Sequence, residues 1–232
     1  PFETPALDED FRIRPEDYYR ENGGVIFPNP NAPTGLLLSL DAVEDILKHN
    51  QDVVVIVDEA YVDFGGESAR TLLDRYENLL VVQTFSKSRS MAGMRIGFAM
   101  GHPDLIKALN DVKYSYNSYT MNMPSQILGV EAVKDDAYFK ETLAKIIDTR
   151  EWSKLKLREL GFSFPDSKSN FIFATHERVP AEKIFEALKA EQIYVRYFKQ
   201  PRLDNYLRIT IGTREEMEAL FAFLGEFLAI AH

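Results

Sequence analysis

The sequence predicts an α/β domain, a mainly parallel sheet with helices on both faces, followed by a smaller α+β domain. Short β-branched runs alternate with helical patterns through the first half, the arrangement that gives parallel strands with crossover helices. Val53 to Val57 is apolar throughout instead of alternating, as expected of a strand covered on both faces. From about Asp135 a long helical pattern is followed by mixed strands and helices, which places a boundary between residues 1–134 and 135–232.

Val25-Ile26-Phe27 reads as the first strand and stops at a proline-rich loop. Ser39 is the N-cap of a helix whose apolar face is Val43, Ile46 and Leu47. Val53 to Val57, Leu79 to Val82 and Ile96 to Ala99 are the next strands. Pro103 suits the first turn of a helix carrying Leu105, Ile106 and Leu109. Tyr138 to Leu160 is expected to form a long helix with Phe139, Leu143, Ile146 and Ile147 inward, ended by Gly161. Strands at Phe171 to Ala174, Ile193 to Tyr197 and Tyr206 to Ile211 follow, with a helix around Ile184, Phe185 and Leu188 between the first two. The last helix opens on the capping box Thr213-x-x-Glu216 and presents Met217, Leu220, Phe221, Leu224 and Leu228 to the core.

Composition narrows the function. In 232 residues, 27 Lys+Arg against 36 Asp+Glu leave a net charge of −9, which argues against nucleic acid or an anionic membrane surface as a partner. No apolar run approaches the ~18 residues a membrane span needs. The sequence contains no cysteine, so disulfides, thiolate metal sites and a cysteine nucleophile are excluded. His49, His102, His176 and His232 are scattered, which argues against a zinc site. The chain opens on Pro1 without a secretory signal or an initiator Met, and is expected to be part of a longer gene product.

Four clusters can carry chemistry, each at the end of a predicted strand, where open α/β sheets gather ligands. In Asn29-Pro30-Asn31-Ala32-Pro33-Thr34-Gly35 the prolines stiffen a loop able to hold a side-chain amide at fixed distance, and Ala32-Pro33 is expected to be cis. Taken alone the segment is equally a surface turn. Asp58-Glu59-Ala60-Tyr61 ends a buried strand, where a carboxylate needs a cationic or hydrogen-bonding partner or else caps the next turn. A nucleotidase Mg²⁺ ligand would require a Gly-Lys-Ser/Thr phosphate loop, and the sequence has none. Thr84, Ser86 and Arg95 around Lys87 make a phosphate cradle with an amine at its centre. The apolar neighbours Phe85, Met91, Met94 and Ile96 are expected to desolvate Lys87, which favours Schiff-base chemistry. Arg196 and Arg208 lie within apolar strands, where a guanidinium is costly unless it meets an anion, or else faces water.

This ordered set, Asp58-x-x-Tyr61, Ser86-Lys87, Arg95 and a late strand arginine, resembles the fold-type I pyridoxal-phosphate aminotransferases. Val195-Arg196-Tyr197 with Leu207-Arg208-Ile209-Thr210-Ile211-Gly212 is most similar to their histidinol-phosphate branch. The resemblance implies that Lys87 carries pyridoxal 5'-phosphate covalently and shuttles the substrate proton. Asp58 would pair with the pyridinium nitrogen, and Tyr61 would donate to the ring's phenolic oxygen. Thr84, Ser86 and Arg95 would hold the cofactor phosphate, and Arg208, helped by Arg196, the substrate phosphate. The family's loop usually has asparagine directly before Pro-Thr-Gly; Ala32 stands there, leaving Asn31 as the nearest amide.

The same resemblance implies a cytoplasmic homodimer of histidine biosynthesis moving an amino group between histidinol phosphate and 2-oxoglutarate or glutamate. It also implies that the N-terminal part of the family fold, with its glycine-rich phosphate loop and stacking aromatic residue, is absent from the 232 residues. An aromatic-amino-acid aminotransferase, a phosphothreonine decarboxylase and a non-catalytic homologue are the alternatives.

Overall fold

In the computed structural model, which describes residues 2–230, the chain forms two compact units. One comprises the residues through Asn31 together with Leu37–Glu141; the other comprises Ala32–Leu36 and the residues from Thr142 on. His232 lies outside the described residues.

The first unit is built on the sheet β1 (Val25–Pro28), β2 (Val55–Asp58), β3 (Leu79–Thr84) and β4 (Gly97–Gly101), in that spatial order. The pairs β1–β2 and β2–β3 are parallel and β3–β4 is antiparallel, so the sheet is mainly parallel. Strand β2 begins at Val55, later than the apolar run, and only Val55 and Val57 are fully buried. Ile56 alternates onto a half-covered face, so the apolar run does not mark a strand buried on both sides. Helix α1 (Leu40–Lys48) starts at Ser39, whose side chain accepts from the Ala42 amide, and buries Val43, Ile46 and Leu47 completely. Each such side chain contributes about 1.5–3 kcal/mol of burial. These three close one face of the sheet with Phe27, Val55, Val57, Leu79 and Val81.

Helix α2 (Pro103–Tyr116) begins at Pro103 as expected. Helix α3 (Met123–Lys134) is not anticipated by the apolar pattern, although Asn122 caps it and Pro124 sits in its first turn. Among the described residues of these helices, Val112, Tyr116, Met123, Ile127, Val130 and Val133 are exposed.

Helix α4 (Asp136–Glu159) departs from its expected packing. Phe139, Leu143, Ile146 and Ile147 are half-buried, while the fully buried stripe is Thr149, Arg150, Ser153, Lys154 and Leu157. Apolar periodicity misses this face because its two cations, Arg150 and Lys154, are satisfied by partners within the second unit. Gly161, at φ +82°, ends the turn after the helix.

The second unit carries an antiparallel sheet ordered β5 (Phe162–Ser163), β6 (Phe171–His176), β8 (Leu207–Thr210), β7 (Arg196–Tyr197). Strand β7 has two residues, since Ile193 to Val195 pair with no neighbour, and Tyr206 and Ile211 fall outside β8. Helix α5 (Ala181–Ala190) buries Ile184 and Leu188. Helix α6 (Arg214–Ile230) buries all five expected residues. Its capping box is reciprocal: Thr213 N–H donates to Glu216 at 2.7 Å and Glu216 N–H to the Thr213 hydroxyl at 3.3 Å. Among the described residues, no helix is long and apolar enough to cross a membrane.

Candidate active site

The parallel register aligns Pro28 with Asp58 and Asp58 with Val82, so β1, β2 and β3 all end on one edge of the sheet. Because β4 runs back from Gly97, opposite Thr84, residue Arg95 stands at that edge too. Asn29 to Asn31 of the proline loop, Asp58, Tyr61, Thr84, Ser86, Lys87 and Arg95 are thereby collected where the strand carboxyl ends point.

Asp58 is half-buried, and one of its carboxylate oxygens accepts the Ala60 amide at 3.0 Å, closing the turn that leads to Tyr61. The Lys87 amine lies 5.3 Å from the centre of the Tyr61 ring. The Thr84 hydroxyl donates to the Ser86 hydroxyl at 2.9 Å and accepts the Ser86 amide at 3.0 Å. Two hydroxyls at one turn, with the Arg95 guanidinium beyond them, form a donor set suited to a phosphate. Arg95 adopts φ +56°, at the end of a short 3-10 helix, and donates to the Ala92 carbonyl at 2.8 Å.

One expectation about this edge needs correction. Lys87 is exposed and is not desolvated by its neighbours. The Phe85 ring instead meets Phe98 edge-on at 6.0 Å, and Ile96 is buried. In the loop, Asn29 holds its amide fixed, donating to the Leu38 carbonyl at 3.0 Å and accepting the Leu38 amide at 2.8 Å. Asn31 is half-buried on the same loop. Both Asn29-Pro30 and Ala32-Pro33 are cis; one was expected.

In the second unit, Arg196 and Arg208 face each other directly across the β7–β8 ladder. Their guanidinium carbons lie 5.4 and 5.9 Å from the Phe198 ring centre, and Arg208 is also 5.1 Å from Phe171. The Nε of Arg208 is buried without a hydrogen-bond partner. Arg196 is exposed, contrary to the apolar setting expected of it, because β7 is short and lies at the sheet edge. Like charges opposed across a ladder are destabilising, and an anion received between them removes the repulsion. Phe198 was missed because only the arginines carry an obvious chemical signal.

The sequence of residues 4–224 matches the family model of aminotransferase class I and II. The chain belongs to this family. A histidinol-phosphate aminotransferase of Brachyspira hyodysenteriae is 56% identical over 213 residues, covering 91% of this chain and 60% of that protein. The solved histidinol-phosphate aminotransferase of Clostridium acetobutylicum superposes with a TM-score of 0.88 at 25% identity, covering 96% of this chain and 70% of that one. A histidinol-phosphate aminotransferase of Sinorhizobium meliloti, solved in complex with pyridoxal-5'-phosphate, has a TM-score of 0.79 at 25% identity and covers 90% of this chain and 58% of that one. The fold is thus that of fold-type I aminotransferases. The chain spans about 60% of the length of the curated aminotransferases it matches.

Proposed function

We propose that the protein is a pyridoxal-phosphate-dependent aminotransferase acting on histidinol phosphate, with glutamate and 2-oxoglutarate as the other amino-acid and keto-acid pair. The observation that carries the substrate choice is the Arg196–Arg208 pair, opposed across one ladder over Phe198 with a bare buried N–H. Two guanidiniums suit a dianionic phosphate ester better than a single carboxylate. The aminotransferase family and the named activity of the relatives support the reaction class.

The first unit forms part of the large cofactor-binding domain and the second unit the small domain; the division falls after Glu141, later than the expected 134/135, and gives Ala32–Leu36 to the second unit. When bound, pyridoxal phosphate supplies an electron sink for breaking the bond to hydrogen at the substrate's α-carbon. Lys87 attaches the cofactor and carries the proton; its exposed amine, close to Tyr61, is accessible for both tasks. Asp58 holds the ring nitrogen protonated, Tyr61 donates to the phenolic oxygen, and Asn31 is the loop amide beside it. Thr84, Ser86 and Arg95 hold the phosphate. The protein works as a cytoplasmic homodimer, the exposed apolar side chains of α2 and α3 supporting the association.

Borohydride treatment of the yellow protein should fix the cofactor on Lys87, and Lys87→Ala should abolish both fixation and turnover. Arg196→Ala should raise the KM for histidinol phosphate far more than that for glutamate. Equal losses would remove the reason for choosing a phosphate-bearing substrate.

A further inference from the structure

Glu59 follows Asp58 directly, yet the chemistry above gives it no task. It is 2% exposed, and its carboxylate accepts from the Ser68 hydroxyl and the Ala69 amide, both at 2.6 Å, and from the Gln83 amide at 2.8 Å. None of these donors is cationic. Burial accordingly pushes the Glu59 carboxyl above its ordinary range, with the nearby Asp63 charge adding to the effect. A buried carboxylate is a costly way to close a turn, which an amide or hydroxyl would close without charge.

The positions of its partners are informative. Gln83 immediately precedes Thr84, so Glu59 ties the turn after β2 to the residue before the proposed phosphate cradle. A second tie lies on the other side. Ser88, directly after Lys87 and 5% exposed, donates its hydroxyl to Asp63, two residues past Tyr61. Asp58 and Tyr61 thus lie on a segment carrying two acidic clips, and Thr84 to Lys87 lies between their two partners.

We infer that Glu59 and Asp63 are positioning residues that clip the Asp58–Tyr61 segment to the Thr84–Lys87 segment through Gln83 and Ser88. The inference rests on the cofactor reading above. It deepens that reading by naming what keeps the ring-nitrogen partner and the amine in mutual register. Side chains that hold reacting groups in place act through small displacements, and a shift of about 1 Å can cost up to 100-fold.

The test measures, in the purified protein, pyridoxal phosphate affinity, the rate of borohydride fixation on Lys87 and the melting temperature. Glu59→Gln should weaken cofactor binding about tenfold. The exchange Glu59→Gln with Gln83→Glu restores a carboxylate–amide pair and should return affinity to near wild type, a rescue that general destabilisation does not give. Gln83→Met severs the same link while leaving the Ser68 and Ala69 bonds, and should weaken binding as Glu59→Gln does even if the latter fails to fold. Ser88→Ala should slow fixation with little change in affinity. If the variants melt early but bind and fix cofactor like the wild type, the clips are purely structural and the inference is wrong. If the wild type itself neither binds nor fixes the cofactor, the proposed function falls and the inference with it.

Discussion

Lys154 and Arg208 are both cations drawn into the second unit, and their surroundings differ in kind. Lys154, 2% exposed, donates to Glu151 at 2.9 Å, Asp166 at 2.7 Å and the Ser167 carbonyl at 3.0 Å. Arg150 beside it is equally buried and reaches Glu151 and the Ser169 carbonyl, each at 2.9 Å. These charges are neutralised by the chain itself and brace the segment leading into β6. Arg208 instead has aromatic rings around it, another guanidinium opposite and a buried N–H without a partner. A cation that the chain satisfies is scaffold; one left facing a like charge is a receptor for something the chain does not supply.

The largest effect should come from breaking the scaffold side. Lys154→Met strands the Ser167 carbonyl and leaves Glu151 to Arg150 and Asp166 to Lys168 alone, and should cost about 2–3 kcal/mol in urea unfolding, with or without added phosphate. The carboxylates are half-exposed and can rehydrate, which keeps the loss below that of a fully sealed pair. An unchanged urea midpoint would dissolve the comparison. On the receptor side, Arg208→Met should leave unliganded stability unchanged or slightly higher. It should weaken binding of a phosphate monoester ten- to hundredfold, about 1.5–3 kcal/mol. A destabilisation matching that of Lys154→Met would show that Arg208 is scaffold as well.

His176 sharpens the contrast from the neutral side. Its Nδ1 accepts the Arg178 and Val179 amides at 3.3 and 3.1 Å, and its Nε2 lies 3.1 Å from the Leu160 carbonyl. Only the neutral ring protonated at Nε2 satisfies all three contacts. Burial pushes the folded pKa down, although the Leu160 bond opposes it. Below the unfolded value of about 6.5 the unfolded chain binds more protons, so stability falls with pH at up to about 1.4 kcal/mol per unit. His176→Gln should flatten that slope between about pH 6.5 and 5; an unaltered slope would place the titration elsewhere. Thr213→Ala, which removes half of the capping box, should cost about 1 kcal/mol, measurable as a small loss of melting temperature.

What the sequence made legible follows the same division. The helix starts at Ser39 and Thr213 depend on local chemistry, and the structure places them as expected, whereas β2 and β3 run on to Asp58 and Thr84, past the expected Val57 and Val82. The inward face of α4 was not legible, because Arg150 and Lys154 read as solvent-facing until the carbonyls of Ser167 and Ser169 are known to lie beside them. Helix α3 was passed over because Ile127, Leu128 and Val130 lack a one-sided apolar spacing, although the Asn122 cap was visible. The exposure of Lys87 and the role of Phe198 depend on where aromatic rings turn in space, which linear spacing does not encode.

Gly35 carries a consequence for how this sequence can drift. It sits at φ +76°, where a side chain is strained, and a Cβ there would lie 2.8 Å from the Ser167 Cβ. The Ser167 hydroxyl is committed in turn, donating to the Phe171 carbonyl at 2.5 Å. An alanine at 35 therefore meets both a strained backbone and the Ser167 side chain, and shrinking Ser167 to glycine relieves only the second while removing a bond to the first residue of β6. The loop and the strand therefore constrain each other's drift although 132 positions of numbering lie between Gly35 and Ser167.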